Sequence, residues 1–401
     1  MTIVVQKFGG SSLADIERLG HVADLVSASR APGRKLIVVV SAMGKTTESL
    51  LERARAAASP NAAIEAAAPE LPRRELDMLV SSGERVSMAL LSIALHARGV
   101  RAVSLTGSQA GIVTNTLHFD ARIQEIRRER ILSELQHHDV IVVAGYQGVS
   151  AAREITTLGR GGSDTTAVAL AAAFEAERCE IYSDVDGVYT ADPNRVPAAR
   201  HLPSVDYATL QEMTDAGAKV LNARAVGWGE RHAVPIHARR TSDFAQGQLG
   251  RETCVSKRQT AALRAVVVNR ALAVLTASSG ARECLLQAAA ELSLDVRDVC
   301  EVAGRVHATV PLVSVPDFES VREKLLRVGP NDLIAEDGFA EICAIGEGLD
   351  WRTPGGRAAL SALGPAPLLR VQTQRRLSSI VPLSSIDAAE QRWHQLFVEA
   401  A

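Results

Sequence analysis

At 401 residues the chain is long enough for two or three domains, each burying its own core. Hydrophobic residues make up 47% and charged residues 22%, with a formal net charge of −2, so neither nucleic acid nor an anionic membrane is favoured electrostatically as a partner. An aromatic content of 3% disfavours recognition of stacked bases. The five cysteines (Cys179, Cys254, Cys284, Cys300, Cys343) are scattered without metal-ligand spacing, which predicts free thiols in a reducing compartment. MTIVVQKFGG lacks the basic-then-apolar pattern of a leader, and no apolar run approaches a membrane span; the expectation is a cytoplasmic chain with no membrane partner.

Strand-like runs at 2–8, 35–42, 102–105, 139–146 and 180–185 alternate with helical patterns at 13–30, 73–97, 121–136 and 165–177. Continuous Val/Ile runs mean strands buried on both faces, so this part reads as a three-layer αβα sandwich with a mainly parallel sheet. Residues 1–245 form that domain. The polar, Gly- and Gln-rich stretch 246–262 reads as a linker, and 263–401 as a degenerate tandem repeat of small ferredoxin-like βαββαβ units. Each repeat opens on a strand, at 263–277 and 340–346, followed by a helix-length segment at 281–293 or 355–364.

The first strand delivers Lys7 to its carboxyl end, with Gly9 and Gly10 immediately after. Ligands of open α/β sheets collect beyond the carboxyl ends of strands, and a lysine beside a flexible turn can neutralise a phosphoryl group. Taken alone, Lys7 reads equally well as an exposed strand-end lysine. TTLGRGGSDTTAVALAAAF (156–174) adds a glycine-rich loop running into a helix. Its backbone can hold anions, Arg160 can grip a carboxylate through two hydrogen bonds, and Asp164 can orient Lys7 or Mg²⁺. A surface loop with a capping Asp is the plain alternative, but it leaves three glycines around an arginine unexplained.

Two nucleotide patterns are rejected. AMGKTTE has the lysine end of a Walker phosphate loop, yet Val39 stands where its first glycine belongs. GRGGSD has Asp164 where a dinucleotide fingerprint needs its third glycine. EIYSDVDGVYTADP (180–193) supplies Ser183, Asp184 and Tyr189 around a turn, and Glu84 opens a helix in SSGERVS.

KFGGSSL (7–13), VVVSAMGKTTESL (38–50), SSGERVS (81–87), SLTGSQAGIVT (104–114), TTLGRGGSDTTAVALAA (156–172), YSDVDGVYTADP (182–193) and GAKVLNARAV (217–226) together resemble the aspartate kinases of the amino-acid kinase superfamily, in that family's order and spacing. The C-terminal repeat is similar to that family's tandem ACT domains. The resemblance implies ATP-dependent phosphorylation of the β-carboxylate of L-aspartate, with Mg²⁺ as the metal. It makes Lys7 and Asp164 the catalytic pair. Ser41, Thr47, Glu84, Thr157, Arg160, Gly161 and Ser163 become the aspartate-binding set, Glu84 facing the ammonium and Arg160 the α-carboxylate. Lys7, Gly9, Gly10, Ser183, Asp184, Tyr189, Arg195 and Lys219 fall at the ATP site. It further implies a homodimer through the ACT region and a lysine or threonine effector, for whose ammonium Asp295 is a candidate.

Several residues depart from the family's pattern: Ser11, Lys45, Asn194, Asn222 and Ala223 in the first part, Arg375 and Arg376 in the second. Lys45 and the altered C-terminal part motivate a rival reading, a kinase acting on another amino-acid carboxylate in a specialised pathway. A non-catalytic amino-acid sensor is the other rival, and it predicts loss of Lys7, Arg160 or Asp164, all of which are present.

Overall fold

The computed structural model describes residues 2–58, 71–218, 220–244, 250–257, 263–315, 318–363 and 367–400. Two compact units emerge, one of Met1–Val188, Leu202–Gln211 and Lys219–Gln259, the other of Tyr189–His201, Glu212–Ala218 and Thr260–Ala401.

In chain order the elements run β1 (Thr2–Phe8), α1 (Ile16–Ala28), β2 (Arg34–Val40), α2 (Thr46–Ala58), α3 (Arg73–Val80), α4 (Ser82–His96), β3 (Ala102–Leu105), β4 (Ile112–Thr114), β5 (Ile123–Ile126), α5 (Glu129–His137), β6 (Val140–Ala144), β7 (Gln147–Ser150), β8 (Ile155–Thr157), α6 (Gly162–Ala173) and β9 (Arg178–Ser183). They continue through β10 (Val188–Tyr189), β11 (His201–Leu202), β12 (Ser204–Asp206), α7 (Tyr207–Asp215), α8 (Ala223–His232), β13 (Ile236–Arg240) and β14 (Glu252–Ser256).

The main sheet of the first unit has the order β12-β14-β13-β9-β1-β2-β6-β3. Pairing is parallel from β13 across to β3, and β14 runs antiparallel to β13. Val4, Val5, Leu36 to Val40 and Val140 to Val143 are buried on both faces, as the sequence pattern requires. Val4, Phe8, Leu36, Val38 and Val142 pack with Leu19, Val22, Leu91 and Leu95 of α1 and α4, while α6 packs on β1, β2 and β9. A smaller sheet, β5-β4-β7-β8, lies beyond the sequence reading. Its strand β5 occupies the start of the segment that reads as a helix over 121–136; the helix there begins only at Glu129. Likewise 252–256, assigned by its polarity to a linker, pairs as β14 with β13 and β12. Alternation in ETCVS buries Thr253 and Val255, a period that the surrounding Gly and Gln obscure.

Arg73–His96, comprising α3 and α4 end to end, is the one helical stretch among the described residues long and apolar enough to cross a membrane by composition, and 50% of its apolar window is buried inside the protein.

The second unit contains β15 (Ala265–Ser278), α9 (Arg282–Glu291), β16 (Arg297–Val302), β17 (Arg305–Pro311), α10 (Phe318–Val328), β18 (Ile334–Ile345), α11 (Pro354–Ser361), β19 (Leu369–Gln372), β20 (Arg376–Pro382) and α12 (Ile386–His394). Its sheet order is β16-β17-β15-β18-β20-β19. The two long strands serve both repeats. The second half of β15 opens the first βαββαβ unit and the first half of β18 closes it. The second half of β18 then opens the next unit, which is completed by the first half of β15. Register breaks between Asn269 and Leu272 and between Leu272 and Val274 mark the changeover. Each repeat keeps its own core, one around Leu275, Leu285 and Leu325, the other around Ile342, Leu377 and Trp393. These are the ferredoxin-like ACT repeats, interleaved rather than strictly sequential. The five cysteines are free thiols.

Candidate active site

The strand ends of the first unit line up. Phe8 pairs with Val40 and with Tyr182, and Val40 with Ala144, so β1, β2, β6 and β9 finish level. Gly9–Gly10, Ser41, Gly145 and Ser183–Asp184 therefore share one carboxyl edge of the sheet. Close backbone approach explains the glycines: a Cβ on Gly10 would come within 2.9 Å of Ala42 O and 3.1 Å of Gly44 O, while Gly44 N donates to Gly10 O at 3.0 Å.

Strand alternation turns Lys7 away from α1 and toward α6. Its Nζ lies 2.6 Å from Asp164 Oδ1, with side-chain exposures of 11% and 13%. Asp164 sits in the first turn of α6, where free N–H groups and the helix dipole favour negative charge. The preceding loop reaches that helix through left-handed Gly159 (φ 73°) and Gly161 (φ 69°). Ser163 is buried beside Gly145, where a Cβ would lie 2.9 Å from Ser163 Oγ.

Glu84, near the start of α4, is buried. Its Oε1 accepts from Ala42 N at 3.0 Å, and its Oε2 is buried with no hydrogen-bond partner. Burial pushes its carboxyl up to about 7, against hydrogen bonds from its own backbone N–H and from that of Ala42. Arg160 is exposed on the loop, Ser41 is half-buried with its N–H on Phe8 O at 3.1 Å, and Thr47 is half-buried in the first turn of α2. Lys45 lines a cavity of about 400 Å³ together with Met43, Thr46 and Arg53.

Thr157 differs from the expectation of a substrate contact. It is fully buried, and its Oγ1 donates to Asp77 Oδ1 at 2.5 Å. Asp77, also fully buried, accepts from Phe119 N at 3.1 Å and lies 2.6 Å from His118 Nδ1. The neighbouring loop is held as firmly. Arg224 Nη2 meets Asp120 Oδ1 at 2.6 Å, and its Nη1 donates to Leu158 O at 2.8 Å. Asn222 Nδ2 donates to Arg160 O at 3.0 Å. Asp77, Asp120, Asn222 and Arg224 are missed as functional residues by sequence reasoning, because their work is done across the fold. Only the unusual Asp in RRELDMLV, an otherwise amphipathic helix, hints at it.

Ser183 O accepts from Thr241 Oγ1 at 3.2 Å, and Asp184 O from Arg240 Nε at 3.1 Å, leaving the exposed Asp184 side chain at the sheet edge. Tyr189 and Arg195 belong to the second unit, where Tyr189 packs edge-on to His201 with ring centres 5.3 Å apart and Arg195 lies 3.7 Å from Asp387. Lys219 lies outside the described residues. Asp295 lies 2.9 Å from Arg297, Arg375 pairs with Glu347 at 3.1 Å, and Arg376 is buried 2.5 Å from Asp298.

A level row of strand ends, a buried lysine–carboxylate pair and a helix N-terminus define a site built to handle anions. The family model described as the amino acid kinase family matches residues 2–239. An aspartokinase of Mycolicibacterium smegmatis is 36% identical over 416 residues, covering 99% of this chain and 96% of its own. The crystal structure of E. coli aspartokinase III in complex with aspartate and ADP, in its R-state, superposes with a TM-score of 0.80 at 27% identity, covering 98% of this chain and 99% of that one. The same E. coli enzyme with lysine and aspartate, in its T-state, gives a TM-score of 0.73 at 26% identity over 99% of both chains. The chain belongs to the amino acid kinase family, on its aspartokinase branch.

Proposed function

We infer that this chain transfers the γ-phosphoryl group of ATP to the β-carboxylate of L-aspartate, giving 4-phospho-L-aspartate and ADP. One observation carries the reading: the Lys7–Asp164 pair stands at the mouth of α6, in the same unit as a buried, half-satisfied Glu84 and the Arg160 loop. The E. coli relative of similar fold holds aspartate and ADP.

The acceptor carboxylate is ionised at neutral pH and needs no general base. What the site must overcome is repulsion between two anions. Lys7 swings from Asp164 to the transferring phosphoryl oxygens, and the α6 N-terminus adds its dipole, so positioning and electrostatics carry the rate. Arg160 takes the α-carboxylate and Glu84 the ammonium, leaving the β-carboxylate directed at phosphorus. Ser41, Thr47 and Ser163 complete the substrate side, and Gly9, Gly10, Ser183 and Asp184 the nucleotide side.

Mg²⁺ keeps most of its waters and rides on phosphates with one or two protein carboxylates. No cluster of three or more candidate ligands exists among the described residues, and Asp164 offers one buried carboxylate, so the donor set fits a metal carried in by the nucleotide. Bound there, Mg²⁺ neutralises charge on the phosphate oxygens. Free thiols support a reducing, cytoplasmic setting. The ACT repeats support a dimeric, effector-responsive enzyme, in which Arg375, Arg376 and Asp295 are each paired with neighbours on the chain.

Trapping the acyl phosphate with hydroxylamine tests the reading. Aspartate should give hydroxamate far faster than glutamate or substituted aspartates; a preference for one of those moves the chain to the specialised-pathway alternative.

A further inference from the structure

Strand β9 lies between β13 and β1, with Ser183 level with Arg240 and Tyr182 level with Phe8. Gly9 N still reaches Tyr182 O at 3.1 Å, but Gly10 to Ser12 lie beyond the strand. A hydroxyl group ties that region back. Thr241, the first residue after β13, places its Oγ1 2.7 Å from Ser12 Oγ and 3.2 Å from Ser183 O. Ser12 is buried in the single helical turn Gly10–Leu13, where its N–H donates to Gly9 O at 3.0 Å. A side chain from the end of β13 thus reaches over β9 to the turn after β1, two strand spacings or about 9.6 Å away.

Proton counting gives the bridge a direction. Ser183 O only accepts, so the single Thr241 proton goes to it and Ser12 donates to Thr241 Oγ1. Arg240, one residue earlier, holds the same strand end. Its Nε donates to Asp184 O at 3.1 Å and its Nη2 to Asp186 Oδ1 at 3.2 Å. Asp186 is buried, and its Oδ2 accepts from Arg251 Nη2 at 2.6 Å. The nucleotide-side groups Gly9, Gly10, Ser183 and Asp184 therefore sit on two turns whose spacing is fixed from β13. A ligand touching both turns gains from that fixed spacing, whereas a fragment touching one of them does not.

We propose that Thr241 is a positioning residue, which through Ser12 and Ser183 sets the spacing between the phosphate-side turn at Gly9–Gly10 and the nucleoside-side strand end at Ser183–Asp184. The proposal rests on the ATP-dependent kinase reading above and deepens its nucleotide side.

The test uses the full chain, with adenosine and tripolyphosphate as competitive probes of one turn each. Thr241→Val, which keeps the side chain's shape and removes its hydroxyl, should raise the ATP KM about fivefold, the usual worth of a neutral hydrogen bond. The aspartate KM and the Ki values of adenosine and tripolyphosphate should change by less than about twofold. Thr241→Ser, which restores the hydroxyl, should return the ATP KM to the wild-type value. Ser12→Ala should also raise the ATP KM, but by less than about twofold in the Thr241→Val background, as coupled residues do. Should Thr241→Val fail to fold, Ser12→Ala carries the same prediction for ATP against its fragments. An unchanged ATP KM in the folded variant overturns the proposal. So does an equal rise in the ATP KM, the aspartate KM and the adenosine Ki, which would mark general loosening of the sheet end. Failure of Thr241→Ser to restore the ATP KM, or equal Ser12→Ala penalties in both backgrounds, overturns it as well. Failure of the wild-type chain to phosphorylate any amino acid would instead refute the parent reading, independently of these variants.

Discussion

Lys7 Nζ lies 2.6 Å from Asp164 Oδ1, joining the end of the first strand to the first turn of α6. Among the described residues neither group has another ion-pair partner, so the pair holds the ammonium in place, and on the proposed function a phosphoryl group competes for it. Lys7→Ala should lower kcat by about 10²–10³-fold, the typical cost of losing one preorganised transition-state donor, and leave the KM for ATP nearly unchanged. Steady-state kinetics with ATP varied at saturating aspartate checks this. An unchanged kcat would take Lys7 out of the chemistry.

Arg160 is exposed while its loop is fixed by Asn222, Asp120 and Arg224. The guanidinium is therefore presented by a rigid backbone but free to close on a carboxylate. Arg160→Ala should raise the aspartate KM by about tenfold or more, as expected for lost charge-assisted hydrogen bonds, with kcat less affected. Asp120→Ala, which only loosens the loop, should give a smaller rise that high aspartate overcomes.

Glu84 supplies a pH signature. Burial raises its carboxyl from 4.5 to about 7, so between those values the folded chain holds a proton that the unfolded chain releases. The stability contributed by the neutral form is complete below about pH 4.5 and is lost as pH rises through about 7. Ammonium binding needs the anion, so kcat/KM for aspartate should climb with pH up to about 7 and then level. Glu84→Gln should flatten both profiles, measured by urea unfolding without substrate and by kinetics with it. A slope that persists in Glu84→Gln assigns it to another group.

Gly161 is left-handed at φ 69° and packs against Asn222. Gly161→Ala should cost about 1–2 kcal/mol in stability from the backbone alone, with a larger loss in aspartate affinity because Arg160 moves with it. Thermal unfolding and the aspartate KM, measured together, separate the two effects.

The parallel core was legible in the sequence because Val/Ile runs such as LIVVV carry their own burial signal. The placement of Lys7, Gly9 and Gly10 at a strand end and of Asp164 at a helix start was legible too, since glycine turns and strand ends are local features. The small sheet was not: β4, β7 and β8 are three or four residues long, too short for a period, and β5 lies in a charged segment with helical spacing. Interleaving of the two repeats was hidden because one continuous strand, β15, serves both, with only the register breaks around Leu272 marking the boundary. Thr157 reads as a substrate contact because sequence reports a hydroxyl's position along the chain and not its partner; the partner of this strand residue, Asp77, comes from helix α3. The buried set of Gln6, Glu180, Tyr182 and Arg239 was invisible for the same reason, though it ties β1, β9 and β13 together directly behind Lys7.

Phosphorus NMR of the wild-type chain with MgATP and excess L-aspartate tests the central claim most directly. The account predicts an acyl-phosphate resonance growing in step with ADP, absent without aspartate and nearly absent in Lys7→Ala. ADP appearing with inorganic phosphate alone from the earliest time point, or an acyl phosphate formed equally well by Lys7→Ala, would contradict it.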